Sequence, residues 1–228
     1  MHSSILFFKT RAFWSGFGKT LVVFFPLYEL SAGSGWQWGV LYAACVLILY
    51  FRPLFNAAPL MPLVAVILIL PFEVRMSSGY AQALFAVLVS FAFWVALGVK
   101  NLVLTHRERW VRCVSYGLAY VAFLAFFATS PGGMFLWAWA VTLAALACLL
   151  SVTAGDMRSG IPVLLLAGEA LLVVSWLPIG PISSANACLL MLLFVADAVH
   201  EGRLGLRKTA LFGLLSLVIA ASSSWGLP

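Results

Sequence analysis

The chain has 228 residues, 64% of them hydrophobic and 9% charged, with a formal net charge of +6 and a mean hydropathy of +1.09. Soluble domains carry roughly 25% charged residues, so this composition excludes a soluble globular protein and predicts an all-α, multi-pass integral membrane protein of the cytoplasmic membrane. The bases fall in short segments between apolar runs rather than in a stripe with interleaved aromatics, so the positive balance reads as a topology signal and not as a nucleic-acid surface.

Residues 1–17 mix aromatics such as Trp14 with Lys9 and Arg11, which suits a segment lying in the membrane interface. Residues 18–31 are predicted as a short first span bent at Pro26. Glu29 and Pro26 inside the apolar stretch 20–30 argue against a signal peptide there. Eight further spans are expected over 36–51, 57–72, 80–99, 110–129, 135–153, 161–179, 182–200 and 209–225, each an apolar run near the length that crosses a hydrocarbon core of about 30 Å. The expected fold is thus a nine-span helical bundle forming one transmembrane domain.

With nine spans, Lys9, Arg11, Lys19, Arg52, Lys100, Arg107, Arg109, Arg112, Arg158, Arg203, Arg207 and Lys208 all fall on one side, and Arg75 alone falls on the other. Cytoplasmic loops carry the excess of Lys and Arg, which places the N-terminus in the cytoplasm and the C-terminus outside. Trp36, Trp38, Trp137, Trp139, Trp176 and Trp225 then lie near the outer ends of their spans, and Trp14 and Trp110 mark the inner face. No connection exceeds about a dozen residues, so no soluble domain is expected between spans.

The pattern Trp36-x-Trp38-x-Val40-x-x-Ala43-Ala44 recurs as Trp137-x-Trp139-x-Val141-x-x-Ala144-Ala145. Both copies open an inward-running span, which suggests two four-helix halves, 36–129 and 135–225, with the first span as an extra. Small residues at Ala140, Ala144, Cys148 and Ser151, and at Ser216, Ala220 and Ser224, form lines along their helices that would allow close helix contact. The four cysteines, Cys45, Cys113, Cys148 and Cys188, lie within or at the edge of apolar runs without a CxxC pair, and read as small packing residues.

Chemistry-bearing residues are few. Glu169 stands at the centre of the run 161–179, and an ionisable group at that depth is a functional candidate by default. It would be a proton or cation site, a protonated carboxyl bonded to a hydroxyl at similar depth (Tyr42, Ser90, Tyr120, Thr142 or Ser216), or a contact to a partner subunit. On the outer side Glu29, Glu73 and Arg75 lie close to Tyr28 and Tyr80, as a cation-gathering vestibule or a solvated ion pair of little energy. The largest basic cluster, Lys100, Arg107, Arg109 and Arg112, is expected to anchor the cytoplasmic face on anionic lipid.

Asp156-Met-Arg-Ser-Gly-Ile-Pro162 resembles the first aspartate motif of prepilin peptidases, which would imply an aspartyl pair with Asp197. Asp197 lies in Phe-Val-Ala-Asp without the glycines of the second motif, so the resemblance stops at that segment. His200-Glu201 lacks the second His of a zinc protease, and Gly33-Ser34-Gly35 lacks an intramembrane His to serve as base. With no motif for a metal, haem, quinone or other cofactor, the expected function is a non-enzymatic polytopic subunit that packs against or organises other membrane proteins. The alternative is a small secondary transporter or channel coupled to protons or cations at Glu169.

Overall fold

The computed structural model describes residues 11–52, 60–73, 79–100, 107–129, 135–153, 157–177, 179–201, 209–216 and 218. Among these residues the chain is helical, without strands: α1 (Arg11–Ser31), α2 (Trp36–Phe51), α3 (Met61–Glu73), α4 (Gly79–Lys100), α5 (Arg107–Thr129), α6 (Phe135–Thr153), α7 (Met157–Ser175) and α8 (Pro181–Glu201), then a helical stretch over 209–216. Segments of α4, α5 and α8, namely Gln82–Lys100, Arg107–Ala128 and Pro181–Val199, are long and apolar enough to cross a membrane. The 22 residues of α4 reach about 33 Å. Four shorter apolar helices accompany them, Trp36–Phe51, Met61–Phe72, Leu136–Ser151 and Gly160–Ser175.

Helix ends follow local chemistry. One helix, α1, covers the end of the segment expected at the interface and the whole of the first expected span, with Pro26 inside it. It stops in a Schellman turn: Ser34 N–H donates to the Glu29 carbonyl at 3.2 Å and Gly33 N–H to the Leu30 carbonyl at 3.0 Å, with Gly33 at φ 78°. Gly35 follows at φ 122°, ψ 160° as the residue before α2, a backbone region essentially reserved for glycine. Gly33-Ser34-Gly35 is therefore a helix-stop and helix-start device.

At the other end of the chain α7 runs from Met157 to Ser175, whereas the apolar run predicted 161–179. The helix ends early because Pro178 disfavours helical conformation at the residue before it. The chain turns there, with Trp176 N–H donating to Val173 and Leu177 N–H to Val174, each to a carbonyl three residues back.

The chain divides into two compact units, Met1–Leu118 and Ala119–Pro228, and the division falls inside α5. In the first unit α1 packs on α2, α3 and α4, burying Gly16, Thr20, Val23, Leu27 and Ser31 along one stripe of helical spacing. On α4 Phe85, Val89, Phe93, Ala96 and Leu97 are buried, while Leu84, Val87, Leu88 and Phe91 form an open side.

Between α2 and α3 one polar contact explains two sequence features. Pro71 lies inside α3 and has no N–H to give to the carbonyl of Ile67, four residues back. The hydroxyl of Tyr42, fully buried on α2, donates to that same carbonyl at 2.6 Å, so the acceptor orphaned by the proline is satisfied from the neighbouring helix.

In the second unit α7 packs against both α6 and α8. It buries Val163, Ala167, Ala170, Leu171 and Val174; α6 buries Thr142, Ala145, Leu146 and Leu149; α8 buries Ser184, Ala185, Cys188 and Leu192. The close approach between α6 and α7 is at Gly168, where a Cβ would stand 3.3 Å from Leu143 Cδ2 and 3.7 Å from the Trp139 ring. The small-residue line expected to make such contacts is turned outward instead, with Ala140, Ala144 and Ser151 exposed. The side of α6 that carries Trp139, Leu143 and Leu150 meets α7. Of the second expected line, Ser216 is exposed, and Ala220 and Ser224 lie outside the described residues.

Candidate functional site

The site with most chemical consequence is the outward face of α7. Gly168 turns toward α6, where its carbonyl accepts from Trp139 Nε1 at 3.4 Å. One residue further round the helix, Glu169 points away from that contact and is exposed. Its neighbours on this face are all apolar and all open: Ile161, Leu165 (64% accessible), Leu166, Val173 (56%) and Trp176 (84%). They recur at helical spacing and make one stripe with a single carboxylate in it.

Two expectations about Glu169 change. It is off-centre, because the early end of α7 leaves only six residues beyond it, about 9 Å of helix. It also faces outward and is exposed, and several of the hydroxyls expected as its partners are engaged elsewhere. Tyr42 is engaged with Ile67. Thr142 Oγ1 returns to the Ala138 carbonyl at 2.8 Å, and Ser216 Oγ to the Phe212 carbonyl at 2.9 Å. Thr20, Ser31, Ser151 and Ser175 likewise donate to carbonyls of their own helices. Ser90 and Ser115 carry the buried hydroxyl oxygens without a hydrogen-bond partner among the described residues.

The outer cluster is only partly in view. Glu29, half-buried near the end of α1, accepts a hydrogen bond from Ser34 Oγ at 2.9 Å, which ties it to the Schellman turn. Glu73 is the last residue of α3; its side chain and the whole of Arg75 lie outside the described residues.

The basic cluster separates into two environments. Arg107, Arg109 and Arg112 are exposed on the first turns of α5, where Arg112 and Glu108 form a solvated pair at 4.0 Å of little energetic weight. Lys100 is different: it ends α4, is only 3% accessible, and its Nζ donates to the carbonyl of Tyr50 at the end of α2 while lying 4.5 Å from the centre of the Tyr50 ring. Lys19, from α1, reaches the same helix end and donates to the carbonyl of Arg52 at 3.1 Å. Two ammonium groups thus cap the negative end of α2. Sequence reading counted both lysines as topology signals and missed this convergence, because nothing in the spacing of residues 19, 52 and 100 brings them together.

Asp197 is half-buried on α8, and Asp156 lies outside the described residues. No group of three or more His, Cys, Asp or Glu side chains that could hold a metal ion occurs among the described residues. The sequence matches no protein-family model, and comparison with curated proteins and with solved structures finds no match.

Proposed function

We propose that the chain is a non-enzymatic, polytopic subunit of a membrane-protein complex, a nine-span bundle with its N-terminus in the cytoplasm and its C-terminus outside, and that it meets its partner through the outward face of α7. The observation that carries this reading is Glu169, an exposed carboxylate within a stripe of exposed apolar side chains. In a bilayer that stripe would face hydrocarbon, where an ionised acid costs up to about 3 kcal/mol, the value at a helix centre. At about 9 Å from the helix end, a Glu side chain is too short to reach the interface. A partner helix that presents a hydrogen-bond donor or a cation to Glu169 removes that cost and covers Leu165, Leu166 and Val173 at the same time.

The transport reading has less to stand on. A permeation path needs polar groups aimed into a shared space, and the hydroxyls of α1, α6 and α7 fold back on their own helices.

Extraction in mild detergent at native expression, followed by mass determination of the intact particle, tests the proposal. The expected result is a stoichiometric membrane-protein partner that stays bound in Glu169→Gln, which keeps a hydrogen-bonding side chain, and is lost in Glu169→Lys while the chain itself remains folded. A solitary chain whose ion transport is abolished by Glu169→Gln would overturn the proposal in favour of transport.

A further inference from the structure

Among the described residues no acid forms an ion pair with Lys19, Arg52 or Lys100. Lys19 and Lys100 donate to carbonyls two residues apart, those of Arg52 and Tyr50, so both ammonium groups stand at one helix end, at the backbone of Arg52, whose own side chain is exposed. The first unit contains three acids, Glu29, Glu73 and Glu108. Glu29 and Glu73 belong to the opposite ends of their helices, and Glu108 is placed beside Arg112.

The sequence segments 1–10, 53–59 and 101–106 contain no Asp or Glu. The partial negative charge of the α2 C-terminus offsets about half of one cation. Lys19, half-buried, spends one of its three donors on Arg52 and keeps ammonium protons for an acceptor from outside the chain, as does the exposed guanidinium of Arg52, while buried Lys100 adds its charge from beneath.

We infer that Lys19, Arg52 and Lys100, gathered at the C-terminal end of α2, form a binding site for a phosphate group. The chemistry is that of multiple acceptor oxygens with at least one negative charge, which matches the donor count and favours arginine's bidentate geometry. Two sources carry that chemistry, the phosphodiester of an anionic lipid headgroup and a free phosphate. The apolar helices α2 and α4 that lead to the site, with the Lys100 stem buried among them, place the phosphate where a headgroup sits if those helices cross a bilayer. The inference rests on the membrane reading but is independent of the partner proposed for α7.

The test uses the full chain in phosphatidylcholine nanodiscs, with phosphatidylglycerol, further phosphatidylcholine or inorganic phosphate added, and reads thermal stability together with lipid retained in native mass spectra. Phosphatidylglycerol is expected to raise the melting temperature and to remain as a bound adduct. Lys19→Gln with Arg52→Gln should weaken its retention by about 25-fold, taking roughly five-fold for each basic residue near an anionic surface. Lys19→Arg with Arg52→Lys should restore it, which separates lost charge from disturbed folding; the single, exposed Arg52→Gln variant serves if the double variant does not fold.

A shift produced by inorganic phosphate in the parent protein and absent from the Gln variant supports the site and assigns it to a soluble phosphate. Equal effects of phosphatidylglycerol and phosphatidylcholine with no response to inorganic phosphate, or undiminished binding in the Gln variants, would overturn the inference. Neither outcome bears on whether the α7 face holds a partner, which the particle mass reads separately.

Discussion

Replacing Tyr42 by Phe keeps the ring that fills the space between α2 and α3 and removes one hydroxyl. That hydroxyl is fully buried and supplies the Ile67 carbonyl with a donor at 2.6 Å, because Pro71 has none to offer. A buried carbonyl left without a donor costs about 1–3 kcal/mol, so Tyr42→Phe should destabilise the protein by about 2 kcal/mol. For a chain of this size that corresponds to a fall of roughly 4–8 °C in melting temperature.

The reasoning makes a sharper demand on the double variant. Pro71→Ala returns an N–H at the position that serves the Ile67 carbonyl within the helix, so Tyr42→Phe in that background should cost less than about 0.5 kcal/mol, a coupling of roughly 1–2 kcal/mol. Unfolding by detergent titration of the four proteins in the cycle measures it. If Tyr42→Phe costs the same in the Pro71→Ala background as in the parent protein, the hydroxyl is not serving the carbonyl that the proline orphans.

Gly33→Ala should cost about 1 kcal/mol and Gly35→Ala about 1–3 kcal/mol in the same titration, from backbone strain alone, since a Cβ at either position meets nothing within 4 Å. Gly18→Ala is the control, equally open but helical, and should gain up to about 1 kcal/mol. Gly168→Leu should drive α6 and α7 apart and cost about 1–3 kcal/mol as overpacking, read as a lower unfolding midpoint, while Gly168→Ala, whose Cβ asks Leu143 to give way only slightly from 3.3 Å, should stay near neutral.

What the sequence made legible was the alternation of apolar runs and short breaks, because burying unsatisfied backbone is costly enough that long apolar stretches must be helices. The extents of α2 and α6 were read to the residue, and the ends of α4, α5 and α8 to within about three residues, the usual latitude of helix ends. Orientation about each helix axis was much less legible. When nearly every side chain is apolar, hydrophobic periodicity carries no direction, and the small-residue line on α6 was therefore read as an interface, whereas Trp139, Leu143 and Leu150 meet α7.

The informative residues in such helices are the exceptions to apolarity, each acting by a different physical rule. Pro178 ends α7 early and moves Glu169 off-centre; Gly168 sets which side of α7 meets α6 and so turns Glu169 outward; Pro71 empties one hydrogen bond that Tyr42 refills. The first two rules act locally, on residues 177 and 169, and could have been applied to the sequence directly. The third, and the meeting of Lys19 with Lys100 at one helix end, depends on which helices are neighbours. A single sequence holds that information only as the packing energy of the assembled chain, so a lysine at residue 100 looked like any other loop base until α2 was placed beside it.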